Sequence, residues 1–241
     1  MRIPRLYVKQ PLASGQVVDL DAAASRYIGS VLRMEVGRPL IVFNGEGGEF
    51  LATVHSAGKK QVSIGVGKFN ADNRESPLTL ALGIGLSKGD RFDWVIQKAT
   101  ELGVNEITPL LTSRAEVKLN AERAEKKLAH WQQIAISASE QCQRNVPPVI
   151  NAPAKLDDWL GPRAEELKLV LHHRSDKTLS QHEAPKSAAL LIGPEGGLDD
   201  DEIQAARAQG FQQLTLGPRV FRTETAPIVA LSLLQYQWGD F

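Results

Sequence analysis

Ile192-Gly193-Pro194-Glu195-Gly196-Gly197 and Leu216-Gly217-Pro218-Arg219-Val220-Phe221-Arg222-Thr223-Glu224-Thr225-Ala226 each leave an apolar run and lead into a helix-like stretch. Glycine admits positive φ and close approach, while proline fixes φ, so each Gly-Pro pair makes a stiff loop with bare peptide groups exposed. Two such loops in one chain predict a ligand pocket built largely of backbone. The runs that feed them, 188–192 and 213–216, read as strands, and the segments that follow, about 199–208 and 224–238, read as helices.

Upstream of these loops the same texture continues. Strands are expected at 78–86, 105–111 and 168–172, with helices at about 89–102 and 121–143. In the second helix Leu128, Trp131, Ala135, Ala138 and Cys142 recur at three- and four-residue steps, which puts them on one core-facing stripe. Strands alternating with helices predict an α/β fold on a mostly parallel sheet.

The front of the chain reads differently. Residues 16–20, 39–43, 49–54 and 61–66 are short β-branched or alternating runs, with a hairpin signal at Asn44-Gly45, a small β-barrel pattern. Ala22 to Met34 is helix-compatible, with Tyr27, Ile28, Val31 and Leu32 able to share one face. The polar stretch Phe69 to Pro77 breaks the pattern, so domains are expected at 1–70 and 78–241 with a linker at 71–77.

Composition bounds the function. With 241 residues and 42% hydrophobic content the chain can bury two cores, and its one cysteine excludes an intramolecular disulfide framework. Met1 to Tyr7 shows no secretory pattern, and the longest apolar stretch, Leu78 to Leu86, is too short to span a bilayer, so no membrane and a cytoplasmic location are expected. Net charge is zero, but residues 1–70 hold nine Lys/Arg against five Asp/Glu, a balance of +4, and the remainder nineteen against twenty-three, −4. A basic front module favours a polyanion, and an ordinary solvated surface explains the same charge. Arg2, Arg5, Lys9, Arg26, Arg33 and Lys88 are the candidates for contact with a polyanion's phosphates.

Ligands of open parallel sheets bind beyond the carboxyl ends of strands. Three loops meet that description: Leu171-His172-His173-Arg174, Gly193 to Gly197, and Gly217 to Thr225. Leu198-Asp199-Asp200-Asp201-Glu202 after the second loop caps a helix with carboxylates, which disfavours phosphate, and no Lys-Ser/Thr follows the glycines as a P-loop requires. A neutral or cationic ligand fits better, and S-adenosylmethionine, a sulfonium carrying an adenosine, is one such molecule. His172 and His173, with Asp176 nearby, have no convincing third ligand at metal-binding spacing, so no metal is expected. Glu140, Gln141 and Arg144 either line a cleft or form the polar face of their helix.

Both glycine loops, taken with Lys88-Gly89-Asp90-Arg91-Phe92-Asp93-Trp94, Gln97 to Val104 and Ser139-Glu140-Gln141-Cys142-Gln143-Arg144, closely resemble the SPOUT, or trefoil-knot, RNA methyltransferases. Within that superfamily the likeness is to the bacterial group that methylates N3 of a uridine in 16S ribosomal RNA. It covers nearly the whole chain, and the front module resembles a PUA-like RNA-binding domain. The resemblance implies a deep trefoil knot at about 168–238, a homodimer, and small-subunit ribosomal RNA or the assembled subunit as substrate. It implies S-adenosylmethionine as cofactor, surrounded by Leu171, His172, Gly193, Pro194, Glu195, Gly196, Gly197, Leu216, Gly217, Val220, Arg222 and Thr223. Arg222 and Glu224 are its expected catalytic pair, the first as electrostatic stabiliser, the second as orienter or proton acceptor. A non-catalytic RNA-binding or ribosome-assembly protein is the alternative.

Overall fold

A computed structural model of the protein describes residues 3–58, 61–115, 120–161, 163–172, 179 and 182–241. The chain divides into two compact units, Met1–Glu75 with Ser139–Pro147, and Ser76–Ala138 with Pro148–Phe241. The sequence reading assigned 78–241 to one block. Residues 139–147 group instead with the front unit, where Glu140 bonds Tyr7, Arg144 bonds Glu75 and Asn145 bonds Arg5.

The front unit is a five-stranded sheet in the order β1-β3-β4-β5-β2, formed by β1 (Arg5–Tyr7), β2 (Val17–Asp19), β3 (Pro39–Phe43), β4 (Glu49–Ala57) and β5 (Val62–Asn70). β3, β4 and β5 are antiparallel neighbours, and β1 runs parallel to β3. The inward residues of these alternating strands, among them Leu40, Val42, Val54, Val62 and Ile64, form one buried core. The Asn44-Gly45 signal falls in the loop joining β3 and β4. There Gly45, Gly47 and Gly48 all adopt positive φ, and Asn44 Oδ1 accepts the Glu46 N–H.

The helix expected over Ala22 to Met34 is shorter than its periodicity. α1 (Ala22–Arg26), capped by the Asp21 side chain, gives way to a π turn, Tyr27–Val31. Its wider step, with Leu32 N–H bonding the Tyr27 carbonyl, turns the expected stripe out of register, so Ile28 is buried while Tyr27, Val31 and Leu32 are exposed.

Seven parallel strands build the second unit: β6 (Thr79–Gly85), β7 (Glu106–Leu111), β8 (Val149–Ile150), β9 (Ala154–Lys155), β10 (Leu167–Leu171), β11 (Ser187–Ile192) and β12 (Gln212–Leu214). Their order is β12-β10-β11-β6-β7-β8, with β9 also on β7. Leu80, Leu82, Ile84, Leu190 and Ile192 are nearly solvent-free, as strands covered on both faces require.

Among the described residues the helices of this unit are α2 (Arg91–Glu101), α3 (Ala121–Cys142), α4 (Leu156–Leu160), α5 (Asp200–Ala208) and α6 (Thr225–Trp238). α3 ends in the segment that groups with the front unit. As the spacing predicts, Trp131, Ala135 and Ala138 of α3 are buried, while Cys142 is half-buried. Gln235 of α6 is fully buried and saturated, donating to the Leu102 carbonyl at 2.7 Å and accepting from Ser76 Oγ at 2.7 Å. Among the described residues no helix is long and apolar enough to cross a membrane.

Candidate active site

β6 is the strand from which the chain departs in two directions: it continues through α2 to β7 on one side, while β11, much later in sequence, pairs on the other. Crevices at such switch points, beyond the carboxyl ends of the strands, are where open α/β sheets bind ligands. The loops leaving β6, β11 and β12 open at that end, where β10 also finishes.

The first glycine loop is held tightly against the sheet. A Cβ on Gly85, the last residue of β6, would stand 2.5 Å from Pro194 Cδ, and one on Gly193 would meet Leu198 N at 2.7 Å. Neither position has room for a side chain. Within the loop Gly197 N–H donates to the Pro194 carbonyl at 2.8 Å, and Arg114 Nη1 donates to the Gly196 carbonyl at 3.0 Å. Gly197 (φ +70°) and Gly217 (φ +89°) both lie in the left-handed region, and nothing stands within 4 Å of where their Cβ atoms would be. These are bare peptide faces against open space, the surface on which an adenosine can be laid. The residues therefore fit S-adenosylmethionine.

Behind the loop the expected acidic cap is complete. Asp199 Oδ1 accepts the Glu202 N–H at 2.8 Å, Glu202 Oε2 accepts the Asp199 N–H at 2.9 Å, and Ser113 Oγ donates to Asp199 Oδ2 at 2.7 Å. These bonds, the Glu202 amide first, hold the Asp199 carboxyl below its ordinary range. The second glycine loop bonds into α6, whose Thr225 and Ala226 N–H groups donate to the Arg222 carbonyl. Thr223 is buried, Val220 is exposed at 90%, and Arg222 is exposed. Leu171 ends β10 and His172 follows it, its N–H donating to the Leu214 carbonyl and its carbonyl accepting from Thr215 Oγ1. His173, Arg174 and Asp176 lie outside the described residues, as does Arg2.

Beside the loops is an open cleft of about 810 Å³, walled by Lys88, Arg91, Trp94, Glu195 and Glu224. Arg91 ties two of its walls together, with Nη1 3.2 Å from Glu195 Oε1 and Nε 4.0 Å from Glu224 Oε1. Lys88 N–H also donates to Glu195 Oε1, at 3.3 Å. Glu224 Oε2 is buried and has no hydrogen-bond partner among the described residues. Arg91 and Trp94 drew no role from the sequence. Their signal was available, since the Ser87–Asp90 loop also follows a strand end and meets the rule applied to the other three.

Several candidates lie elsewhere. Arg5, a candidate phosphate contact, is only 7% exposed; its guanidinium pairs with Glu49 and donates to Asn145 Oδ1 at 2.6 Å. That leaves it no face for RNA, and it is a structural residue of the front unit. Arg144 is likewise buried, with Nε 3.0 Å from Glu75 Oε2. Glu140 accepts the Tyr7 N–H at 2.9 Å, and burial holds its carboxyl above the ordinary range against the opposing pull of that bond and of Arg5. Lys9, Arg26 and Arg33 are exposed on the front unit, and Lys88 lies at the cleft. Among the described residues no three His, Cys, Asp or Glu cluster as metal ligands would.

Residues 74–235 match the RNA methyltransferase domain family, and residues 20–66 match the RNA methyltransferase PUA domain. A ribosomal RNA small subunit methyltransferase E from Buchnera aphidicola (subsp. Acyrthosiphon pisum) is 36% identical over 100% of this chain and 96% of its own length. The chain belongs to the ribosomal RNA small subunit methyltransferase E family. Two solved structures of similar chains agree over 100% of both partners. One, a Legionella pneumophila protein designated a methyltransferase and solved with its cofactor SAM, is 45% identical with a TM-score of 0.97. The other, a ribosomal RNA small subunit methyltransferase E from Neisseria gonorrhoeae bound to S-adenosyl methionine, is 36% identical with a TM-score of 0.93. The fold is thus a parallel-sheet methyltransferase domain with an N-terminal PUA-like barrel.

Proposed function

We propose that this chain methylates N3 of a uridine in small-subunit ribosomal RNA, with S-adenosylmethionine as the methyl donor. The observation that carries this reading is the pair of bare glycine peptide faces, Gly197 and Gly217, at the carboxyl ends of β11 and β12 in a member of this methyltransferase family. Bound there, S-adenosylmethionine supplies an activated methyl group on a sulfonium, so the transfer calls for no metal.

The protein's part is to position the base and deal with its proton. N3 of uracil is a poor nucleophile until that proton leaves. Glu224 Oε2, buried and without a partner among the described residues, is the acceptor. Arg222, exposed on the adjoining loop, stabilises the charge that spreads to the flanking carbonyls. Leu171, His172, the Gly193–Gly197 loop, Leu216, Gly217, Val220 and Thr223 surround the cofactor. Lys9, Arg26, Arg33 and Lys88 meet RNA phosphate.

The same reading makes the front unit, residues 1–75 with 139–147, the RNA-binding part and the parallel-sheet unit the catalytic one, with the segment at about 168–238 tied as a trefoil knot. It makes the cytoplasm the place of action and the working form a homodimer. A second copy has a reason to dock, because α6 carries exposed Leu233 and Tyr236 besides its buried face.

The test is transfer of labelled methyl from S-adenosylmethionine to small subunits from a strain lacking this modification, followed by nuclease digestion and mass spectrometry. Methylated uridine is the expected product. RNA complexes with no labelled product would instead establish the non-catalytic binding protein.

A further inference from the structure

α2 buries most of its apolar side chains: Phe92, Val95, Ile96 and Ala99 are at most 1% exposed. Trp94, on the same helix, is 42% exposed and forms a wall of the open cleft. An indole left in water forfeits a large burial gain, which makes its position over a cleft informative.

The rest of the cleft says what would cover the ring. Carboxylates of Glu195 and Glu224 share the cleft with Lys88 and Arg91. Lys88 and Arg91 stand against three carboxylates, Asp90, Glu195 and Glu224, so the lining is net negative and the cleft does not favour a phosphate. A flat neutral base carrying an N–H between two carbonyl oxygens suits it well: the carboxylate takes the N–H and the aromatic wall takes the π-face. Uracil is such a base. Enzymes that act on a base lift it from its stack and hold it against aromatic or apolar side chains.

We propose that Trp94 is the platform on which the extruded target uracil stacks, in the cleft shared with Arg91 and Glu224. This rests on the uridine methyltransferase reading above. Trp94 thereby becomes a substrate-contact residue, with Arg91 a positioning residue that holds the Glu195 and Glu224 walls.

The experiment compares wild type, Trp94→Phe and Trp94→Ala in three measurements: methyl transfer to unmethylated small subunits, binding of labelled small-subunit RNA by anisotropy, and S-adenosylmethionine binding by calorimetry. Trp94→Ala should weaken RNA handling about tenfold or more, read in KM and in the RNA dissociation constant. Cofactor affinity should stay within twofold, and Trp94→Phe, which keeps a ring, should recover most of the loss. Equal RNA binding and kinetics in Trp94→Ala would overturn the proposal. So would a parallel loss of cofactor affinity, which would assign the ring to the cofactor, or a failure of Trp94→Phe to recover anything while folded by circular dichroism. A wild type that binds RNA but transfers no methyl would sink the methyltransferase reading alone. The anisotropy comparison would then decide the platform by itself.

Discussion

Gly85 and Pro194 are packed so closely that a methyl group on Gly85 would sit 2.5 Å from Pro194 Cδ and closer still to its nitrogen. The end of β6 and the first glycine loop are therefore one rigid piece, fixed by the absence of a side chain. Gly85→Ala must displace backbone, which has no rotamer to yield. We expect S-adenosylmethionine affinity to fall at least tenfold, measured by calorimetry, with the front unit's fold unchanged by near-ultraviolet circular dichroism.

Gln235 is fully buried and makes both amide hydrogen bonds, to Leu102 and Ser76. Gln235→Leu takes from the Leu102 carbonyl and the half-buried Ser76 hydroxyl the partner that Gln235 gives them. A loss of about 1–3 kcal/mol is expected. Urea denaturation of the two proteins checks it, and an unchanged midpoint would show that Gln235 only fills space.

Glu140 gives a pH dependence with a definite sign. Its folded-state carboxyl titrates above its ordinary value of 4.5, chiefly because burial disfavours the charge. The stability it contributes is therefore fully present below the unfolded value and lost as pH rises through the folded one. Glu140→Gln keeps an acceptor for the Tyr7 N–H and removes the buried charge. Relative to wild type, the variant's melting temperature should be higher at pH 8 than at pH 4, and the opposite ordering would refute the assignment.

Arg5 and the exposed arginines separate by salt. Arg5→Met leaves the Glu49 carboxylate paired, among the described residues, with Arg74 3.5 Å away, and should destabilise the fold while leaving the salt dependence of RNA binding unchanged. Arg26→Ala with Arg33→Ala should spare stability and flatten the slope of log affinity against log salt by about 0.7–0.9 per lost phosphate contact. Anisotropy titrations between low and moderate salt distinguish the two.

Apolar periodicity fixed which class of element each segment would form. The strands at 78–86, 105–111, 168–172 and 188–192 and the helices at 121–143 and 199–208 needed only local pattern, since buried strands and amphipathic helices announce themselves through the residues they hide. β1, β8, β9 and α4 were not read from the sequence, because none of them is long enough to stand out as a period against its flanks. The π turn after Arg26 defeated the helical rule for the same physical reason, a change of step that composition does not encode.

The candidate site divides along the same line. The glycine-proline loops declared a backbone-built site by residue type alone, since glycine adopts at no steric cost the left-handed conformations found at Gly197 and Gly217. Charge by itself could not tell Arg5 from Arg26: one pairs with Glu49, 44 positions away, and the other meets water. Nor could it bring Arg91 to Glu195 and Glu224, more than a hundred residues on. Backbone preference and hydrophobic period act between neighbours in the chain and are written in the sequence. Burial and charge pairing act between neighbours in space, so only the tertiary fold decided which arginines were structural and which carboxylates faced the cleft.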